Sequence, residues 1–166
     1  MNNLERVGIR GFFIVEHRDK TGKLIGIYRV PNGIVDEGAE HALDCEFGAG
    51  AQATIWYLGL VNNSGYTGWN VADIMTSHAG WTEFTTWTGA NRPQWTVGAA
   101  ASRQVTNSAT IDFAITGAGT LKGIFVTSGQ VKGATAGVLW SVALFSSTVT
   151  VGIGDTLKVT YTISIP

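Results

Sequence analysis

Few residues in this chain have the types and spacing that chemistry requires. His41 and Cys45 stand four apart, which on a helix puts an imidazole and a thiol on one face. Two ligands are half of a tetrahedral zinc site, and nothing else of that sort lies nearby in sequence. As a base and a nucleophile the pair has no visible third group to orient it. The expected arrangement is Cys45 packed inward as a small hydrophobe and His41 at the rim. Glu83 stands between Trp81 and Trp87. Glycoside hydrolysis needs two carboxylates flanking a ring-lined sugar site. Asp73 is the nearest other acid in sequence, and nothing there places it opposite Glu83. Asp73 and His78 bracket a turn and read as capping or solvent residues. No Gly-x-Ser-x-Gly elbow and no Walker loop occur. Gly48-Ala-Gly-Ala-Gln-Ala53 imitates part of a dinucleotide fingerprint, but it follows a helix and precedes a strand, the reverse of what that mechanism needs. The residues therefore predict no catalytic set, no metal and no cofactor.

The heaviest stretch is the aromatic block from His78 to Trp95. It holds Trp81, Phe84, Trp87 and Trp95, with Glu83 and Arg92 among them. Five of the six tryptophans fall between positions 56 and 95. Each large aromatic offers roughly 150–250 Å² to bury. The block either caps the core or forms a contact face for a partner or a sugar. Trp69, Trp81, Trp87, Arg92 and Trp95 are the candidate contact residues of the second reading. Strand alternation would put Trp81, Glu83, Thr85 and Trp87 on one face. In the first reading Arg92 simply holds Glu83 beside the core.

Charge limits the partners. The net charge is −1 at pH 7, which gives no electrostatic case for nucleic acid or an anionic membrane. Charged residues are only 14%, against roughly 25% in ordinary soluble domains. Thr, Ser, Asn and Gly take their place. Such a surface loses little solvation when covered, which suits a protein packed against others. One cysteine excludes an intrachain disulfide. Glu5, Arg6 and Arg10 interrupt the place where a signal peptide would be apolar. No apolar run reaches the ~18 residues of a membrane span. Synthesis in a cytoplasm, with release by lysis, is the expectation.

The elements that must position these side chains follow from periodicity. Residues 7–18 and 23–30 read as a hairpin around Asp19–Gly22, stopped by Pro31-Asn-Gly33. Residues 36–47 read as the one real helix, with Asp36 as N-cap, Gly48 as C-terminal stop and Ala39, Ala42, Leu43 and Phe47 on the inward face. Thr54–Val61 is apolar on both pleat faces, as in a covered central strand. Val71–His78 suggests a helical turn or two, and Trp81–Thr88 a short strand. Strands follow at Ala109–Thr116, Leu121–Thr127, Val138–Phe145 and Val149–Val151. In the last strand Leu157, Val159, Tyr161, Ile163 and Ile165 share one face. Strands every 8–14 residues with glycine turns predict a single all-β domain over 1–166. The preferred form is an antiparallel sandwich of jelly-roll type, about eight strands plus one short helix. Trp56, Phe113, Phe125, Trp140 and Tyr161 are expected to be mostly buried.

Three parts of the chain carry a resemblance. They are the hairpin followed by Val30-Pro-Asn-Gly-Ile-Val-Asp-Glu-Gly38 and Ala42-Leu-Asp-Cys-Glu-Phe47; Ile55-Trp-Tyr-Leu-Gly-Leu-Val61 with Gly80-Trp-Thr-Glu-Phe84 and Asn91-Arg-Pro-Gln-Trp95; and Gly154-Asp-Thr-Leu-Lys-Val-Thr-Tyr-Thr-Ile-Ser164. Together they resemble tailed-bacteriophage virion proteins, in particular the small head decoration, or cement, proteins of short-tailed phages. The resemblance implies a jelly-roll-like sandwich on the capsid exterior, made in the bacterial host cytoplasm. It implies the major capsid protein as partner, a homo-oligomer (dimer or trimer), and no catalytic residues. Tail or fibre modules that bind a receptor or carbohydrate look similar and stand as the alternative.

Overall fold

The computed structural model describes residues 8–165. The domain is an antiparallel β-sandwich. Its elements are β1 (Arg10–Arg18), β2 (Leu24–Pro31), β3 (Gly33–Ile34), α1 (Asp36–Phe47), β4 (Trp56–Asn62), β5 (Glu83–Phe84), β6 (Gln94–Trp95), β7 (Gln104–Thr106), β8 (Ile111–Ala114), β9 (Gly119–Thr127), β10 (Leu139–Val151) and β11 (Thr156–Ser164). One sheet runs β2-β1-β11-β7, with β8 also on β11. The other runs β3-β10-β9-β4-β5, with β6 also on β4. The first and last long strands are neighbours: Phe13 lies opposite Tyr161 and Val15 opposite Val159. Strand count exceeds eight because β3, β5, β6, β7 and β8 are fragments of two to four residues.

Alternation decides which side chains meet. Phe13 and Val15 of β1, Leu157, Val159 and Tyr161 of β11, and Ile111 and Phe113 of β8 face Leu58, Leu60, Ile124 and Val126 across the sandwich. Neighbouring positions on the second sheet point the other way. Val61, Phe125 and Val142 form a second core with Val35, Met75, Trp81 and Leu139. Residues 66–81 fold over that outer face and supply Tyr66, Trp69, Met75 and Trp81. Hence β4 is buried on both sides, as its unbroken apolar run predicts. Of the five expected core aromatics, Phe113, Phe125, Trp140 and Tyr161 are buried and Trp56 is half-buried.

Several expectations need correction. The first strand starts at Arg10, and Val7 lies outside the described residues. Pro31 ends β2 from inside the strand. Val71–His78 forms turns and an Ile74–Ser77 bridge, with no helix. Trp81–Thr88 is strand only at Glu83–Phe84, plus a bridge from Trp87 to Ile115. Beyond Phe84 the chain leaves β4, and Thr86 and Thr88 bond the Ala114–Gly117 backbone instead. The two β10 segments are one long strand, with a register shift between Leu144 and Val149.

The helix has the expected bounds but a different face inward. Asp36 is its first residue, and the cap position is Val35, which offers no side-chain bond. Leu43 and Phe47 are exposed, at 59% and 82%. Gly38 is buried instead, because α1 lies directly on the β10 backbone: a Cβ at Gly38 would collide with the carbonyl and Cα of Trp140. Glu37 fixes that rotation. Its Oε2 accepts the backbone N–H of Leu139 at 2.7 Å and of Met75 at 3.0 Å.

Candidate functional site

The aromatic block is core. Trp81, Trp87, Trp95 and Arg92 are each at least nine-tenths buried, and only Trp69 of the five candidate contact residues is half-buried. Trp81 and Trp87 do not share a face. Trp81 stacks with His78 at 3.9 Å and tilts on Phe125 in the outer core. Trp87 meets Phe113 edge-on at 5.1 Å between the sheets. The intervening chain abandons the strand after Phe84, so the alternation that would align the two rings never runs that far. Trp81 and Trp87 therefore do not form one contact surface.

Arg92 is spent internally. Its Nε and Nη2 donate to Oε1 and Oε2 of Glu83 at 2.9 and 2.8 Å. Its remaining donors reach the carbonyls of Gly129 and Ala134, both at 2.7 Å. Glu83 Oε2 also accepts the Gly133 N–H at 2.6 Å. The pair is a fork-to-fork salt bridge inside the protein. It ties the aromatic block to the loop between β9 and β10. Both oxygens of Glu83 accept hydrogen bonds within the protein. Asp73 Oδ2 accepts Trp81 Nε1–H at 3.0 Å and Asn70 N–H at 2.9 Å. The two carboxylates are not opposed across any cleft.

His41 and Cys45 do meet. Cys45 Sγ lies 3.5 Å from His41 Nε2, and that nitrogen accepts the Ala53 N–H at 3.3 Å. With Nε2 the acceptor, the ring proton sits on Nδ1. No carboxylate orients the ring, and no cluster of three or more His, Cys, Asp or Glu suited to a metal occurs among the described residues. The arrangement anchors the 48–55 loop to α1. His17 and Asp155 form a second buried contact, Nε2 to Oδ2 at 2.8 Å, and Asp155 also accepts the Gly152 N–H.

One opening runs along Asn62–Ser64, Glu83–Thr86 and Ala118–Thr120, and another lies at the mouth of the sandwich beside α1. A cavity of about 90 Å³ there is lined by Trp56, Trp95, Val126, Trp140 and Ile163. The Trp56 ring meets Trp140 edge-on at 5.8 Å and His41 at 5.6 Å. Trp140 Nε1 donates to the Tyr161 hydroxyl at 3.1 Å, and Asn32 Nδ2 donates to the same oxygen at 2.8 Å. Burial pushes the Tyr161 phenol far above its usual range, opposed only in part by its hydrogen bonds. The indole N–H of Trp95 is buried without an acceptor. Outside the mouth, shallow grooves run along Gln52, Ala53 and Val97 on one side and His41, Ala42 and Cys45 on the other. Ile55 and Val97 are exposed on the loops nearby, and Leu43 and Phe47 are exposed on α1. Sequence reading missed this surface because it assigned Leu43 and Phe47 to the core. Gly38 was the signal available, since a glycine within a helical pattern costs helix propensity and can have a packing reason.

Compared with protein-family models and with curated proteins, the chain matches none.

Proposed function

We propose that the protein is a structural component of a phage particle that binds and stabilises the outer capsid lattice. The observation that carries this reading is the exposure of two large apolar side chains on α1, Phe47 at 82% and Leu43 at 59%, on a chain with only 14% charged residues. Covering such side chains removes apolar area from water, and the low charge lowers the cost of covering their surroundings. The chemically capable side chains, Glu83, Asp73, Arg92 and His41, are engaged within the fold. A protein that binds the assembled lattice and not the dispersed subunits stabilises the assembly by mass action. The resemblance of the sequence to phage decoration proteins points the same way.

Particles lacking the protein, heated beside complete ones, test the proposal. Loss of DNA at clearly lower temperature, restored by adding the purified protein, is the expected result. Equal thermal stability with loss of host adsorption would overturn it and favour a receptor- or carbohydrate-binding module of a tail fibre. That second reading draws on the tryptophan-lined mouth, since indole faces also stack on sugars.

A further inference from the structure

The cavity at the mouth of the sandwich takes its walls from both sheets. Pairing of β6 with β4 sets Trp95 directly opposite Trp56, and opposed residues of an antiparallel pair share a face. Val126 of β9, Trp140 of β10 and Ile163 of β11 complete the lining. Every wall therefore stands on a strand, and the shape of the cavity does not depend on a loop. The half-buried Trp56 ring borders the cavity and both outer grooves, so the way in passes beside it.

One buried polar group in this lining has no partner. Trp95 is 5% exposed, and its Nε1–H is buried without an acceptor. Trp140 already donates its N–H to the Tyr161 hydroxyl at 3.1 Å. Val126 and Ile163 present only hydrocarbon. Among the described residues no charged side chain lines the cavity. A buried donor without a partner carries its full desolvation penalty, so an acceptor offered to it here gains more than it would in water. Water suits the place poorly, because a buried water needs about two to four polar partners. The volume, about 90 Å³, is several times what one water occupies and below the ~150 Å³ that holds benzene.

We propose that this cavity binds a small uncharged organic molecule. Its body is compact and apolar, no larger than a five-membered ring, and carries one carbonyl or hydroxyl oxygen that accepts the Trp95 Nε1–H. The body removes apolar wall area from water at Val126, Ile163 and the indole faces, which supplies the affinity. The oxygen supplies the orientation, as a few placed polar groups do in apolar sites. An ion does not fit, since nothing in the lining offsets its desolvation. A monosaccharide fits poorly inside, because its several hydroxyls would meet one orphan donor and otherwise hydrocarbon.

Nitrogen–proton correlation spectra of the indole groups test this on the purified chain, without any particle, so the result is independent of the capsid reading. Resonance assignment of the wild-type protein identifies the Trp95 signal, and cyclopentanone is the probe. It should move the Trp95 Nε1–H resonance downfield and saturably in the millimolar range, as befits a ligand of this size. Cyclopentane, the same ring without the oxygen, should cause no such downfield shift. Val126→Ile keeps the β-branch and adds one methylene to the wall, so cyclopentanone should bind about tenfold more weakly or worse. If that variant does not fold, Ile163→Phe fills the cavity from the other sheet at a half-buried position and should do the same. No saturable shift with cyclopentanone would overturn the proposal. So would an equal downfield shift with cyclopentane or galactose, or wild-type binding by a folded cavity-filling variant.

Discussion

Arg92 and Glu83 form a two-pronged salt bridge inside the protein, with side chains 0% and 6% exposed. The pair holds the aromatic block against the loop that follows β9. Removing one partner strands the other's charge, which in buried pairs costs about 3–5 kcal/mol. Glu83→Gln leaves the Arg92 guanidinium with one amide oxygen in place of a carboxylate. Its unfolding midpoint in urea should fall accordingly. A midpoint equal to wild type would mean that water, and not Glu83, satisfies Arg92.

Gly38→Ala separates local propensity from packing. In an exposed helix interior this change stabilises by up to ~1 kcal/mol. Here the new methyl meets the Trp140 backbone, which cannot swing aside as a flexible side chain would. Overpacking of this kind costs about 1–3 kcal/mol, so the packing cost wins. Thermal unfolding should show a lower melting temperature. A higher one would place α1 further from β10 than described.

Phe113→Ala tests the main core. Phe113 is fully buried and meets Trp87 edge-on. Truncating a buried Phe costs about 3–5 kcal/mol. A variant that melts like wild type would contradict the inward face of β8.

These sites also show how far the sequence could be read. Strict alternation in β11 and in Ile111-Asp-Phe113 leaves one possible inward face, so those strands were legible. β4 was legible because it is apolar on both faces. The helix bounds were legible from Asp36 and Gly48, but its rotation was not. Rotation is set by the non-local bonds from Glu37 to Met75 and Leu139 and by the Gly38–Trp140 approach. The aromatic block was legible as buried mass, but not as two cores. Trp81 and Trp87 diverge because the chain leaves β4 after Phe84, a tertiary event with no local pattern. The apolar mouth was invisible for the same reason as the helix face.

Tyr161 gives a pH dependence with a defined sign. Burial raises its pKa in the folded protein, while an unfolded tyrosine ionises near ~10. The unfolded chain therefore loses this proton first. The resulting stability is fully present below about pH 10 and is lost as pH climbs from there toward the folded pKa. Denaturant midpoints should fall steeply in that range. Tyr161→Phe removes the titrating group and should fall less steeply there. It should also be less stable at neutral pH, because the Asn32 and Trp140 donors lose their acceptor. Equal slopes for the two proteins would show that Tyr161 ionises without unfolding.

Phe47 tests the surface proposed for lattice binding. It occupies the last turn of α1, and its exposure means that little folding energy rests on it. Phe47→Gln, alone or with Leu43→Gln, should leave the melting temperature within a degree or two of wild type. Binding is another matter. Burying a Phe side chain at an interface contributes about 1.5–3 kcal/mol, and 1.4 kcal/mol is about tenfold in affinity. Retention of Phe47→Gln on particles lacking the native protein should therefore fall about tenfold or more in a co-sedimentation titration. Moderate salt should release little of the wild-type protein, since apolar and hydrogen-bonded contacts are only weakly screened. If the double variant folds normally and binds as wild type, the α1 rim is not the contact. If instead moderate salt strips the wild-type protein from the particles, charged groups elsewhere carry the attachment.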